Sequence, residues 1–121
     1  MSRTETLQRI LRSLQTESPD IEASALISDD GLMIASALPQ HVEETRVAGM
    51  SATLLSLGNR AATELSLKTL QQVLIRGEDG YAVMVKASEG TMLLCLTTKN
   101  AKLGLIFLDV GRAADQIADV L

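Results

Sequence analysis

From Val47 to Leu67 the sequence carries charge only at Arg60 and Glu64. Apolar residues recur along this segment every three or four positions, which predicts an α-helix. A helix on a protein surface normally keeps one charged face in water. A long helix with so few charges must therefore be covered on more than one side, either by its own fold or by another protein chain.

At about 100° per residue, the apolar residues of this helix form two adjacent stripes. The first stripe comprises Val47, Met50, Leu54, Leu57 and Ala61, and the second comprises Ala48, Ala52, Leu55 and Ala62. Because one sheet face buries only one stripe, we assign the first to the sheet and the alanine-rich second to a copy of the same helix. Leaving leucine-sized groups in water would forgo about 1.5–3 kcal/mol each. The alternative is a wide helix that lies deep within its own fold.

The flanking segments predict short, regular elements. Ser2 and Glu5 form a capping box that begins an amphipathic helix, Ser2 to Thr16. Two strands follow, Ile21–Ser28 and Leu32–Leu38, joined by an Asp-Gly turn. After the central helix, Val42 to about Leu67, three more strands form a meander: TLQQVLIR, YAVMVKA and TMLLCLTT.

The last segment is ambiguous, because GLIFLDV alone is compatible with a strand. Over the longer stretch to the C-terminus, however, the apolar residues repeat at helical spacing, and Asn100 is available as an N-cap. We therefore predict a C-terminal helix. The late strands are apolar on both faces, so the sheet should be covered on both. The expected architecture is an α/β (α+β) three-layer sandwich of one domain, residues 1–121, in the order α-β-β-α-β-β-β-α.

Composition narrows the functional classes. The apolar fraction of 46% excludes a disordered chain, and the net charge of −4 without a cluster of cations argues against nucleic-acid binding. A single cysteine, no signal peptide and no apolar run of membrane-spanning length predict a cytoplasmic protein without membrane insertion.

Residues for catalysis are sparse. His41 is the only histidine, and we interpret it as a solvated residue at a helix start rather than a general base. Cys95 lies in an apolar strand and is interpreted as a buried small side chain. The acidic pairs Asp29-Asp30 and Glu78-Asp79 fit hairpin turns better than a cation site. With no phosphate-binding glycine motif either, we predict a non-enzyme with no cofactor and no metal site.

The order of elements and four motifs resemble the Roadblock/dynein light chain family, particularly its bacterial, MglB-like, GTPase-associated members. The motifs are SDDGLMIAS, the long small-residue helix from Val42, LIRGEDGYAVMV and KLGLIFLDVGRAADQIADVL. The resemblance covers nearly the whole chain. It implies a profilin-like fold with a five-stranded antiparallel sheet, the first and last helices on one face and the central helix on the other.

The resemblance also implies a homodimer in which the third strand pairs with its copy and the central helices pack side by side. Members of the family typically bind small Ras-like GTPases or scaffold larger complexes. The expected dimer interface comprises Ala48, Ala52, Leu55, Asn59, Ala62, Leu70, Val73 and Ile75. The remaining arc of the central helix is the expected partner-binding surface: Gly49, Thr53, Ser56, Arg60 and Glu64.

Two alternatives remain open. Arg60 poses the hypothesis of an arginine finger, although a mid-helix position favours a solvated surface arginine. The second function class is a small-molecule sensing domain with a ligand held between sheet and helix. The nearly all-aliphatic interior argues against a ligand, because few polar groups would converge on it.

Overall fold

The computed structural model describes residues 2–121. Its helices are α1 (Arg3–Glu17), α2 (Glu44–Glu64) and α3 (Leu103–Val120). Its strands are β1 (Ile21–Ser28), β2 (Met33–Ala37), β3 (Gln72–Gly77), β4 (Gly80–Ser88) and β5 (Thr91–Thr98). The predicted fold class, element order and antiparallel sheet are confirmed, including the C-terminal helix.

The sheet has the order β2-β1-β5-β4-β3, and each neighbouring pair is antiparallel. Three pairs are hairpins, while β1 and β5 join the two ends of the chain at the centre of the sheet. Consequently β2 and β3 are the two edge strands.

Helices cover both faces of the sheet, as its apolar strands require. Side chains of β5 illustrate the division: Leu93 and Cys95 pack under α1 and α3, whereas Met92 and Leu94 pack under α2. The α1/α3 side holds the larger cluster of buried residues. The alternation follows from the two-residue repeat of a strand, which sends successive side chains to opposite faces.

Helix ends differ from the sequence predictions in two places. The Ser2 hydroxyl accepts a hydrogen bond from the Glu5 backbone N–H at 3.1 Å, but the Glu5 carboxylate accepts from that hydroxyl instead of reaching the Ser2 backbone. The prediction of Asn100 as the N-cap of α3 is wrong, because Lys102 occupies that position without a side-chain cap. Asn100 lies instead in a turn closed by Ala101 N–H donating to the Thr98 carbonyl.

The α2–β3 connection begins with a well-formed helix end. The Leu67 N–H donates to the Ala62 carbonyl at 2.8 Å, and the Ser66 N–H donates to the Thr63 carbonyl at 3.1 Å. This pair of bonds is the Schellman arrangement, which requires a left-handed residue directly after the helix. Ser66 adopts that conformation with φ 61°, in a position where glycine is the usual residue.

Candidate protein-binding surface

The stripe of α2 that faces the sheet is the one composed mostly of small residues. Ala48, Leu55 and Ala62 are buried within the single chain, so their assignment to a second copy is wrong. Opposite them the sheet presents Ile27, Met84, Met92 and Leu94. These side chains are bulky, and the helix fits over them only where its own residues are mostly small.

The stripe of larger residues is the one left uncovered. Met50 is 56% exposed and Leu57 is 60% exposed, and Ala61 is exposed beside them. Leu54 and Val47 are only half-buried. The first stripe, which we assigned to the sheet, is therefore the apolar surface that the described chain leaves in contact with water.

This exposed stripe runs along the side of α2 that faces β3. Gly58 marks the side of α2 that faces β3, since a Cβ on it would lie 3.0 Å from the Leu70 side chain and 3.5 Å from that of Val73. Residues at 47, 54, 58 and 61 share one helical face because their spacing matches whole turns. The stripe therefore borders the β3 edge through Val47, Leu54 and Ala61. Leu57, by contrast, also lines the depression that contains Asp29 and Asp30.

Strand β3 contributes a free edge to this surface. It pairs with β4 on one side, from Gln72↔Val85 to Gly77↔Gly80, and it is the last strand of the sheet on the other. Ile75 is 43% exposed on the α2 face, and Leu74 is similarly exposed on the opposite face. Unpaired backbone groups flanked by apolar side chains form a template for another strand.

The residues predicted to form the dimer interface lie in separate parts of the structure. Val73 and Leu70 are half-buried beneath the C-terminal half of α2, next to the β3 edge. Ala52 packs near the β1–β2 turn, where a Cβ added to Gly31 would lie 3.7 Å from the Ala52 Cβ. Asn59 points to a depression at the β4–β5 hairpin rather than to the exposed stripe. Of the predicted set, the residues near the β3 edge are Leu70, Val73 and Ile75.

The predicted partner-binding arc is exposed in full. Gly49, Thr53, Ser56, Arg60 and Glu64 all lie in water. Arg60 forms an exposed ion pair with Glu64, at 3.9 Å between nitrogen and oxygen. A shallow depression joins part of this arc to the β1–β2 turn through Asp29 and Asp30.

Comparison with known proteins decides the family. The Roadblock/LC7 domain family matches residues 7–97. An uncharacterized protein of Methanocaldococcus jannaschii is 39% identical over 111 residues, which cover 92% of this chain and 96% of that protein. The chain belongs to the Roadblock/LC7 family.

Solved structures share the Roadblock/LC7 fold with this chain at low sequence identity. MglB from Myxococcus xanthus superposes with a TM-score of 0.91 at 16% identity, covering 99% of this chain and 90% of that one. A structure of MglB with tetrameric arrangement gives a TM-score of 0.88 at 20% identity, with the same coverage. At these identities the similarity concerns the fold, so the surfaces of this Roadblock/LC7 domain must be interpreted from its own residues.

The space between sheet and helix in this Roadblock/LC7 domain is small. The depression between α2 and the β4–β5 hairpin has a volume of about 200 Å³ and is lined by Leu55, Leu70 and Met92 below a polar rim. Small-molecule sites usually measure about 300–1,000 Å³. In its rim Lys86 is already paired with Glu89 at 2.9 Å. The space between sheet and helix is therefore smaller than a usual small-molecule site.

Titratable side chains are dispersed in the structure. Burial raises the pKa of the Cys95 thiol to about 12, since the thiolate would lose its hydration. Within residues 2–121, no group of three His, Cys, Asp or Glu side chains is placed to hold a metal ion. None of the helices described is both long and apolar enough to span a membrane.

Proposed function

We propose that the chain is a homodimeric protein-binding module in which β3 pairs with its own copy. The observation that carries this proposal is the continuity of the free β3 edge with the exposed Met50–Leu57 stripe of α2. Antiparallel pairing of the two β3 strands would bring the two α2 helices side by side on one face of a ten-stranded sheet. Each chain would then cover the apolar stripe of the other, as an isologous interface requires.

The other edge of the sheet supports this choice of strand. The side-chain amide of Gln8 occupies the free side of β2, where it donates to the Ser36 carbonyl and accepts from the Ser36 N–H at 3.3 Å. Those backbone groups are the ones that a further strand would need. Because the Gln8 amide covers the β2 edge, β3 is the edge available for pairing.

Replacement of Ile75 by lysine tests the dimer. The substitution places a charge on the free edge without emptying the core, because Ile75 is already partly exposed. We expect the wild type to sediment as twice the 12.9 kDa chain mass and Ile75→Lys to sediment as one folded chain. Leu32→Lys is the matched control, since Leu32 is 63% exposed at the far side of the sheet. A dimeric Ile75→Lys protein would place the interface elsewhere.

The partner that we propose for the dimer is a small Ras-like GTPase, the class that members of this family typically bind. Its docking surface would be the arc of Gly49, Thr53, Ser56, Arg60 and Glu64, repeated across the dimer axis. Small side chains with few charges are desolvated at low cost. The Arg60–Glu64 pair would set the orientation of the partner more than its affinity.

Substitution of Ser56 by arginine tests this surface directly. The bulky charged side chain should prevent docking of the GTPase while the dimer stays intact, because Ser56 faces water. Gln116→Arg introduces the same side chain at an exposed position of α3 and serves as the control. Calorimetry should detect binding to the control and not to Ser56→Arg. If Ser56→Arg stays dimeric and binds the GTPase with unchanged affinity, the docking surface lies on the opposite helical layer.

The role of Arg60 distinguishes a scaffold from an activator that inserts an arginine into the active site of the GTPase. An arginine finger typically accelerates GTP hydrolysis about 10³–10⁵-fold. Arg60 lies within helix α2, four residues before its end, and is paired with Glu64, so we propose that it only orients the partner. Arg60→Ala should then weaken binding modestly and leave the hydrolysis rate of the saturated complex nearly unchanged. A loss of three or more orders of magnitude would establish the finger.

A further inference from the structure

Helix α3 carries a second uncovered apolar face, on the side of the sheet opposite α2. Leu105 is 57% exposed and Leu108 is 60% exposed. Gly104 and Gly111 lie on the same outward face, and a Cβ on either would meet nothing within 4 Å. The β3–α2 interface described above does not use this face. We call these four residues the α3 face.

The charges around the α3 face are reversed relative to the helix dipole. Lys99 and Lys102 precede the helix, whose first turn has no acidic residue. Asp115 and Asp119 are exposed near its end, where there is no basic residue in the last turn. Anions normally favour a helix N-terminus and cations a C-terminus. Considered without its neighbours, α3 therefore has an unfavourable charge at both ends. In the folded chain Arg9 of α1 lines the same depression as Asp119, whereas Asp115 lies outside that depression.

An antiparallel copy of the same helix would correct both ends at once. Leu108 lies six residues after Lys102 and seven before Asp115, about 9 Å and about 10.5 Å along a helix axis. A two-fold axis at Leu108 would thus place Lys102 of one copy opposite Asp115 of the other. The same axis would set Leu105 over Gly111 of the partner copy. Arg112, which is also exposed on α3, is already paired with Asp109 at 3.6 Å.

We propose that the α3 face binds the α3 face of a second copy of this chain, with the two helices antiparallel about Leu108. The occupant is a second copy because the pattern of charges is complementary to itself only in the antiparallel orientation. The two glycines allow the helix backbones to approach closely, so that the leucines lose their contact with water. This contact and the proposed β3 pairing lie on different faces, and both together would assemble more than two chains.

A cysteine at the proposed axis tests the contact. Leu108→Cys should form a disulfide between two copies under mild oxidation, because residues on a two-fold axis face each other. The only native cysteine, Cys95, is fully buried and does not compete. Ala118→Cys on the same helix is exposed but distant from the axis, and it should form no such cross-link under the same conditions. Equal cross-linking of the two variants would overturn the proposal.

Reversal of charge supplies a second, independent test. Lys102→Glu or Asp115→Lys alone should weaken self-association about tenfold, since each change affects two symmetry-related pairs. The double variant should restore the association, because the pairs re-form with opposite sign. Sedimentation in the Ile75→Lys background isolates this contact from β3 pairing, and failure of either interface is then visible separately. If the double variant associates as weakly as the single variants, the antiparallel pairing is contradicted. If the chain binds anionic vesicles and does not self-associate through α3, the α3 face is a membrane-binding surface instead.

Discussion

The side-chain amide of Gln8 pairs with both backbone groups of Ser36, 28 residues away, and so completes the outer edge of the sheet. Helix α1 lies across β2 and presents this amide in the geometry of a neighbouring strand. The contact distinguishes the two edges, because β3 has no such cover among the described residues. Edge strands left open invite pairing with other chains.

Removal of this amide should destabilise the fold and open the β2 edge. Gln8→Ala abolishes two hydrogen bonds, each worth about 0.5–1.5 kcal/mol, and leaves the Ser36 backbone unpaired. We expect the free energy of unfolding in urea to fall by about 1–3 kcal/mol, with larger assemblies appearing at high concentration. Gln116→Ala, at an exposed position of α3, should change neither quantity. An equal effect of the two substitutions would refute the guarding role.

Cys95 makes stability depend on pH in the alkaline range. The thiol pKa rises from 9.0 to about 12 on folding, because burial penalises the thiolate. A raised pKa in the folded state means that its contribution is complete below pH 9 and is lost as pH rises toward 12. The free energy of unfolding should decline by up to about 1.4 kcal/mol per pH unit in this window. Comparison with Cys95→Ala isolates the contribution from other groups, and the variant should show a flatter profile.

Ser66 should yield a more stable protein when replaced by glycine. The left-handed conformation costs a non-glycine residue about 1–2 kcal/mol, partly offset by the greater freedom of glycine when unfolded. We expect Ser66→Gly to raise the free energy of unfolding by about 0.5–1 kcal/mol. Ser56→Gly, in the middle of α2, should lower it by a similar amount, because glycine weakens a helix interior. The same sign for both substitutions would contradict this explanation.

Local periodicity predicted all eight elements, including the C-terminal helix that a seven-residue window could not distinguish from a strand. Apolar residues on both faces of β4 and β5 also predicted the covering of the sheet on both sides. Those inferences succeed because each depends on neighbours in sequence. The Gln8–Ser36 contact depends on residues of separate elements, and no local pattern indicates it.

The two stripes of α2 illustrate where sequence alone misleads. Their existence and boundaries follow from a 100° repeat, but the choice of sheet-facing stripe depends on the side chains opposite. Met84 and Met92 fill the space above the sheet, so the alanine-rich stripe packs there and the leucine-rich stripe stays outside. The relevant signal was size complementarity between elements, which a single helix does not contain.

Leu55 and Leu57 provide the decisive comparison between the two stripes. Leu55 is buried against the sheet, so Leu55→Ala should lower the free energy of unfolding by about 2–5 kcal/mol. Leu57 is exposed in the single chain, so Leu57→Ala should change that stability by no more than about 0.5 kcal/mol in the monomeric Ile75→Lys background. In the otherwise wild-type chain, Leu57→Ala should instead weaken the dimer, measured as a higher dissociation constant in sedimentation equilibrium. If Leu55→Ala dissociates folded chains while Leu57→Ala leaves the dimer unchanged, the alanine-rich stripe is the interface after all.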